Sequence, residues 1–178
     1  MKEQYKVMRN IISEELAEFL GLYFLNLPNF SKGNLSDHQT MNTPSYDSEA
    51  ITETLLVMIL KRLEEESGLE LHPTYSYLRV YKKGDELPFH TDRPACEISC
   101  TINLKQSHPW PIHMDGEELI LHPGDGCIYK GMEVNHGRYE FEGDYCVQVF
   151  CHYVNEHLDH IDDKKLKPGK PRFITNLG

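Results

Sequence analysis

Two histidines and one aspartate have the residue types and the spacing of a metal site. His90 and Asp92 flank a single residue, so their side chains emerge on the same face of an extended chain. His136 follows later, after a passage over residues 119–129 that reads as strand, turn and strand. Two imidazoles and one carboxylate leave several positions of an octahedral ion open. That arrangement suits a non-haem Fe(II) ion that must hold a bidentate co-substrate together with oxygen.

The same three side chains also suit other metal chemistry. Two histidines and a carboxylate form a catalytic zinc set, in which a metal-bound water hydrolyses an ester or an amide. However, no HExxH-like general base lies near these residues in the sequence. A third interpretation is a barrel module that holds a metal without catalysis. The residue pattern alone leaves the oxygenase, the zinc hydrolase and the non-catalytic module open.

The elements that must position these residues change in character along the chain. Residues 13–28 and 47–67 carry apolar side chains at helical spacing, with Ser13 as an N-cap and Gly68 as a stop signal. From residue 75 onward, short runs rich in Tyr, Val, Ile and Thr alternate with turns, which predicts strands over 75–81, 97–104, 111–114, 118–121, 126–129 and 145–154. Helices followed by strands predict a mainly β fold with supporting helices (α+β), built on an antiparallel sheet or sandwich.

The size and charge of the chain limit what it does. Its 178 residues predict one domain, in which 1–70 form a helical support, 75–154 the β core and 155–178 a tail. The net charge of −10 repels phosphate backbones, so we expect no nucleic-acid partner. No apolar run has the length of a membrane helix, and the five cysteines form no CxxC pair. We therefore expect reduced thiols in a cytoplasmic protein that does not bind a membrane.

The order of the motifs resembles a known family. Residues 78–92 contain R-x-Y-x-x-G and then the H-x-D pair, and a Pro-Gly-Asp turn at 123–125 precedes His136. Over about residues 75–154 this order resembles the Fe(II)- and 2-oxoglutarate-dependent oxygenases of the prolyl hydroxylase type. The resemblance implies a double-stranded β-helix, which is a jelly-roll or cupin-like barrel, with Fe(II) held by His90, Asp92 and His136.

The same resemblance implies an activity. Such an enzyme uses 2-oxoglutarate and O2 as co-substrates, with ascorbate as an optional addition. It hydroxylates an unactivated C–H bond of a peptidyl or small-molecule substrate, and succinate and CO2 are the co-products. Which substrate this chain takes, and its oligomeric state, stay open at this level.

Enzymes of this type also need a basic residue for the far carboxylate of 2-oxoglutarate. The resemblance places that residue where this chain has Cys146, and a cysteine cannot supply the charge. We expect Lys105 to take the role first and Arg138 second, with Arg79 and Arg93 as weaker alternatives.

Two further polar residues are predicted to contact the co-substrate. Tyr81 matches the tyrosine that commonly hydrogen-bonds the co-substrate in similar enzymes, and its phenol can donate to a carboxylate. Gln148 shares a strand face with Cys146 and His152, where it either contacts the co-substrate or bonds to a neighbour inside the barrel.

The substrate is expected to meet the variable segments of the chain. These are the loop over 29–46 and the segment 106–110, which ends at Trp110, the only tryptophan. Trp110 is predicted either to line the substrate mouth or to pack at a strand edge. The basic, Pro- and Gly-rich segment 164–172 is interpreted as a solvated tail rather than a flap over the site.

Overall fold

The computed structural model describes residues 1, 3–29, 33–35, 40 and 43–155. The basic segment 164–172 and much of the predicted loop over 29–46 lie outside these residues. The described part of the chain forms three α-helices and ten strands, in the order β1 (Tyr5–Met8), α1 (Glu14–Asn26), β2 (Ser45–Asp47), α2 (Ala50–Met58), α3 (Leu60–Ser67), β3 (Leu71–Lys82), β4 (Leu87–His90), β5 (Ile98–Gln106), β6 (Ile112–Met114), β7 (Glu117–Leu119), β8 (Gly126–Lys130), β9 (His136–Arg138) and β10 (Tyr145–Asn155).

The strands form two antiparallel sheets. The larger sheet has the strand order β1-β8-β5-β10-β3-β2, and the smaller sheet has the order β4-β9-β6-β7. Strands β3 and β10 pair over almost their whole length at the centre of the larger sheet. The predicted fold class, mainly β with supporting helices, is therefore confirmed. The organisation of residues 1–178 as a single domain stays a prediction.

Helix α1 begins where the sequence predicts. The Ser13 hydroxyl accepts a hydrogen bond from the backbone N–H of Leu16 at 3.2 Å, and two glutamates in the first turn suit the helix dipole. Helices α1 and α2 contact strands of the larger sheet. The apolar core between these layers includes Phe24, Leu55, Leu56, Ile102, Leu104 and Val149.

The second predicted helix differs from the structure in two ways. The chain forms α2 and α3 instead of one helix, because Ile59 between them has φ −89° and ψ −7°. Residues 45–47 form β2 rather than loop or helix, because their backbone groups pair with β3. The left-handed conformation of Gly68, at φ 68°, ends α3 as predicted.

Four strands were not predicted, namely β1, β2, β4 and β9. Each has only three or four residues, which is too short for an alternating pattern to stand out. Strands β4 and β9 carry the two histidines of the predicted metal site, so the sequence did not predict the strands that position these side chains.

A β-bulge changes the face on which Lys105 lies. Asn103 of β5 is opposite Gln148 of β10, and Lys105 is opposite the adjacent residue Val147. Leu104 is therefore the extra residue of a β-bulge in β5. Lys105 therefore shares its face with Val147, which belongs to the core beneath the helices. Its Nζ lies 2.6 Å from a carboxylate oxygen of Glu18 in α1.

All five cysteines are buried and none forms a disulfide, which agrees with the expectation of free thiols. No helix among the described residues is long and apolar enough to cross a membrane.

Candidate metal centre and co-substrate site

The antiparallel pairing of β4 with β9 brings the two predicted histidine ligands together. His90 is the last residue of β4 and His136 the first of β9, and the two are direct partners in the register. Asp92 follows β4, and its backbone N–H donates to the carbonyl of Gly131 at 2.7 Å. A Cβ on Gly131 would lie only 2.5 Å from Oδ2 of Asp92, so a glycine is required for this approach.

The three side chains converge on one point. Oδ1 of Asp92 lies 3.6 Å from Nε2 of His90 and 3.7 Å from Nε2 of His136. The three donor atoms all lie within 4.8 Å of one another, so a single ion can contact all of them. The residues present therefore fit the metal that the sequence predicts.

Backbone carbonyls orient both imidazole rings. Nδ1 of His90 lies 2.8 Å from the carbonyl oxygen of Pro88, and Nδ1 of His136 lies 3.0 Å from that of Val134. A carbonyl only accepts, so Nδ1 must carry the proton in each ring. In the neutral ring, each Nε2 then has a free lone pair that faces Asp92, as a metal ligand requires. In protonated His90, the same nitrogen donates to Asp92.

The second carboxylate oxygen of Asp92 has its own partner. The Ser99 hydroxyl lies 3.1 Å from Oδ2 of Asp92 and 2.8 Å from Nδ1 of His152. This contact leaves Oδ1 as the oxygen that faces the histidines. Sequence reasoning missed Ser99. The alternation of side chains along β5 could have indicated this residue. Ser99 is opposite His152 of β10, and the sequence predicts His152 on the same strand face as Gln148.

The pKa shifts suit an anionic ligand between two imidazoles. The hydrogen bond with Asp92 raises the pKa of His90, whereas burial lowers the pKa of His136. Burial alone would raise the pKa of Asp92, but the hydrogen bond from His90 and the charges of His152 and His136 hold it below its ordinary value.

A second group of donor atoms, from Asp92, Cys96 and His152, lies next to the first. Burial and the nearby Asp92 raise the pKa of Cys96 to about 11, so this thiol is protonated at neutral pH. Only a thiolate is a good ligand. The pair of imidazoles with Asp92 is therefore the better metal site.

The candidate metal site opens into a cavity of about 370 Å³. Small-molecule sites in proteins begin at about 300 Å³, so the space suits a small co-substrate together with part of a substrate. The wall is formed by Tyr75, Tyr77, Arg79, Tyr81, Leu87, His90, Thr91, Asp92, Arg93, Cys96, Tyr129, His136, Phe150 and His152.

Arg138 and Tyr81 form a group of buried donors beside this cavity. Within the described residues, Nε and Nη2 of Arg138 and the hydroxyl of Tyr81 have no hydrogen-bond partner. Nη1 of Arg138 donates to the Trp110 carbonyl, and its Cζ lies 4.8 Å from the Trp110 ring. The centres of the Tyr81 ring and the Trp110 indole are 4.8 Å apart.

The neighbours of Arg138 do not neutralise its charge. Burial lowers its pKa, and the groups that oppose this shift are the Cys146 thiol and the Tyr81 and Tyr129 phenols. Burial also raises the pKa of Tyr81 to about 12, so its phenol is neutral at pH 7. A guanidinium buried among neutral groups is costly unless an anion binds to it. The arrangement therefore fits the far carboxylate of a co-substrate.

The other predicted site residues lie elsewhere. The structure does not bring Lys105 to the cavity, so its rank ahead of Arg138 is not supported by the geometry. Gln148 faces the barrel interior, where it accepts from Thr101 at 3.3 Å and donates to Cys146 at 3.3 Å. Trp110 is buried, and its indole N–H donates to the Tyr139 carbonyl at 2.8 Å. It packs inside the protein and is not part of the cavity wall.

Comparison with known proteins identifies the fold. The chain superimposes on a prolyl-4-hydroxylase from Pseudomonas putida with a TM-score of 0.70, at 15% identity over 88% of this chain and 95% of that one. A viral collagen prolyl hydroxylase from Paramecium bursaria Chlorella virus-1, solved with 2-oxoglutarate, gives a TM-score of 0.64 at 10% identity, over 85% of this chain and 96% of that one. HygX from Streptomyces hygroscopicus, with nickel and 2-oxoglutarate bound, gives a TM-score of 0.63 at 10% identity, over 86% of this chain and 83% of that one.

These likenesses confirm the predicted jelly-roll fold, the double-stranded β-helix of 2-oxoglutarate oxygenases. No family model matches the sequence, and a search of curated proteins found no match.

Proposed function

We propose that this protein is an Fe(II)- and 2-oxoglutarate-dependent dioxygenase that hydroxylates an unactivated C–H bond of a peptidyl or small-molecule substrate. The observation that carries the proposal is the convergence of His90, Asp92 and His136 in the wall of a cavity, with donor atoms within 4.8 Å of one another. Bound Fe(II) would supply the activation of O2, coupled to conversion of 2-oxoglutarate into succinate and CO2.

The side chains of the cavity have separate tasks in this proposal. His90, Asp92 and His136 hold the metal. Arg138 and Tyr81 bind the far carboxylate of 2-oxoglutarate. Arg138 lies two residues beyond His136 on the same strand face, about 7 Å along the strand, and this step is close to the length of the co-substrate. The guanidinium supplies from β9 the charge that Cys146 cannot supply from β10.

The proposal extends to the surroundings of the enzyme. Unpaired, buried thiols suit a reducing compartment, so we place the protein in the cytoplasm. The acidic net charge of −10 disfavours nucleic acid as a substrate. Ascorbate, as a reductant that keeps the iron ferrous, is an optional addition to the assay.

Succinate formation tests the proposal. The purified protein, loaded anaerobically with Fe(II) and then given O2 and 2-oxoglutarate, is expected to form succinate even without substrate, at a slow rate. Asp92→Ala removes a metal ligand and is expected to abolish succinate formation. Asp144→Asn, a change at an exposed acidic residue outside the cavity wall, serves as the control and keeps the wild-type rate.

Two results would contradict the proposal. If the wild type forms no succinate and consumes no 2-oxoglutarate across a broad substrate panel, the protein is not such an oxygenase. If the anaerobically purified protein retains zinc and hydrolyses ester or amide substrates, the zinc hydrolase is the better interpretation.

A further inference from the structure

Two arginines of the cavity wall have no task in the proposed binding of metal and co-substrate. Arg79 and Arg93 both line the cavity. The only acidic side chain of the described wall is Asp92, which is committed to the metal. Among the described wall residues, arginines therefore outnumber carboxylates, in a protein whose net charge is −10.

Arg93 lies on the aromatic part of the wall. Its Cζ is 5.1 Å from the centre of the Tyr75 ring, so the ring holds the guanidinium in place. The Tyr75 hydroxyl lies 3.0 Å from Sγ of Cys96. Both of these groups are neutral at pH 7, because burial raises the pKa of each. The charge of Arg93 is held in place but not cancelled by these neighbours.

Arg79 is placed in a similar way, deeper in the cavity. It is buried, and its Cζ lies 5.3 Å from the Tyr77 ring and 5.9 Å from the Tyr81 ring. Its Nη1 donates to the hydroxyl of Thr40 at 2.7 Å, which is a neutral acceptor. These contacts hold Arg79 in the wall, so Arg93 is the arginine that we assign to the substrate.

The charges of the proposed complex leave Arg93 in excess. Fe(II) with the Asp92 carboxylate keeps one positive charge, and the dianionic 2-oxoglutarate changes it to one negative charge. Arg138 neutralises that charge. Arg93 then remains as a cation in the cavity wall, where an anion is attracted more strongly than in bulk water.

We propose that the substrate of this enzyme is a small organic carboxylate, whose acidic group binds Arg93 and whose apolar part lies against Tyr77 and Phe150. This inference rests on the proposed function, because it assigns Arg138 and the metal to the co-substrate. Tyr77 and Phe150 pack against each other with ring centres 6.4 Å apart, and both line the cavity. The cavity of about 370 Å³ has room for a group of this size beside the co-substrate.

Benzoate and benzamide are a matched pair of probes for this site, because they differ only in the charge of the group that would meet Arg93. Calorimetry is carried out on protein loaded with Mn(II), which does not start turnover, at saturating 2-oxoglutarate. We expect benzoate to bind at least about tenfold more tightly than benzamide, since a hydrogen bond between charged groups is about twice as strong as one between neutral groups.

Variants assign the preference to Arg93. Arg93→Gln is expected to abolish the preference for benzoate, and Arg93→Lys to keep most of it, while both bind 2-oxoglutarate as the wild type does. Arg62→Gln, which makes the same change of charge on α3 away from the cavity, keeps the full preference.

Three results would overturn the inference: equal affinity for the two probes, a preference that survives Arg93→Gln, or displacement of benzoate by 2-oxoglutarate. Succinate formation by the wild type is measured separately. Its absence would overturn the proposed function, whereas the probe pair reports on Arg93.

Discussion

Arg138 is the residue whose surroundings are least complete without a ligand. Among the residues that the structure describes, its Nε and Nη2 have no hydrogen-bond partner, and neither has the buried hydroxyl of Tyr81. Unsatisfied buried donors are rare in folded proteins, because each one loses its hydrogen bonds to water without replacement. A carboxylate is the group that satisfies all of these donors at once.

Removal of this guanidinium is expected to weaken co-substrate binding. Arg138→Leu should raise the dissociation constant for 2-oxoglutarate about a hundredfold, since the loss of a buried charged partner costs about 3 kcal/mol. Calorimetry with the Mn(II)-loaded protein measures the change. Lys105→Leu is the matched control and should bind 2-oxoglutarate as the wild type does. A large loss of affinity in Lys105→Leu, with none in Arg138→Leu, would restore the order expected from the sequence.

Ser99 is expected to position the metal ligand Asp92. Ser99→Ala removes the donor to Oδ2 of Asp92, so the carboxylate can rotate away from the histidines. We expect metal affinity to fall about tenfold, the lower end for residues that support a ligand. Titration with Mn(II) measures this affinity. Ser76→Ala loses a buried hydroxyl that bonds to Thr52, outside the cavity wall, and should not change it. Equal losses in the two variants would indicate general destabilisation.

The convergence of His90, Asp92 and His136 could be predicted from the sequence more readily than the position of Lys105. The spacing of His90 and Asp92 is local, so the chemistry is visible without the fold. The face of Lys105 depends on the extra residue Leu104 between two registers, and no local pattern shows such a bulge. Arg138 lies on a strand of three residues, which is too short to show an alternation.

At the scale of elements, the turn before β8 is bonded to the segment that follows β1. The turn before β8 carries Asp125, which accepts from the backbone N–H groups of Asn10 and His122 at 3.0 Å each and from Arg9 at 2.6 Å. The segment after β1 is thereby fixed to the larger sheet. The bonds from the backbone are the important ones, because Arg9 is more than half exposed and its ion pair is screened by solvent.

Loss of the Asp125 charge is expected to destabilise the fold. Asp125→Asn should lower the free energy of unfolding by about 1–3 kcal/mol near neutral pH, as measured by urea denaturation. The exposed Asp144→Asn should change it by less than about 0.5 kcal/mol.

The effect of Asp125→Asn should depend on pH. Burial opposes ionisation of Asp125, but its hydrogen bonds from Asn10, Arg9 and His122 hold its pKa below the ordinary value. The contribution to stability is therefore complete above the ordinary aspartate pKa of about 3.9 and is lost as the pH falls through the lowered value. Wild type and variant should converge in acid. A difference that grows as the pH falls would contradict this account.

At the scale of the whole molecule, the proposed metal site is built on elements that are held by other contacts. The helices and the larger sheet enclose an apolar core that involves none of the three ligands. The imidazole rings are oriented by carbonyls of their own chain segments. We therefore expect the fold not to depend on the metal, unlike that of small domains that depend on zinc.

Removal of metal is therefore expected to leave the protein folded. After chelation, far-ultraviolet circular dichroism at 25 °C should match that of the loaded protein. Addition of Mn(II) at about a hundredfold over its dissociation constant should stabilise the fold by about 2.7 kcal/mol and raise the melting temperature by several degrees. An unfolded metal-free protein would show that the ligands contribute to the core after all.

The carbonyl contacts of the two rings have a consequence for how the protein is prepared. A ligand set fixed in advance by the polypeptide presents the same nitrogens and oxygen to every divalent cation of similar size, and later first-row metals form stronger complexes than ferrous iron does. The divalent metals that are available to the protein, rather than the selectivity of the site, then decide which ion is bound. Material purified in air is expected to carry nickel or zinc from the medium, and reconstitution must begin by stripping these competitors.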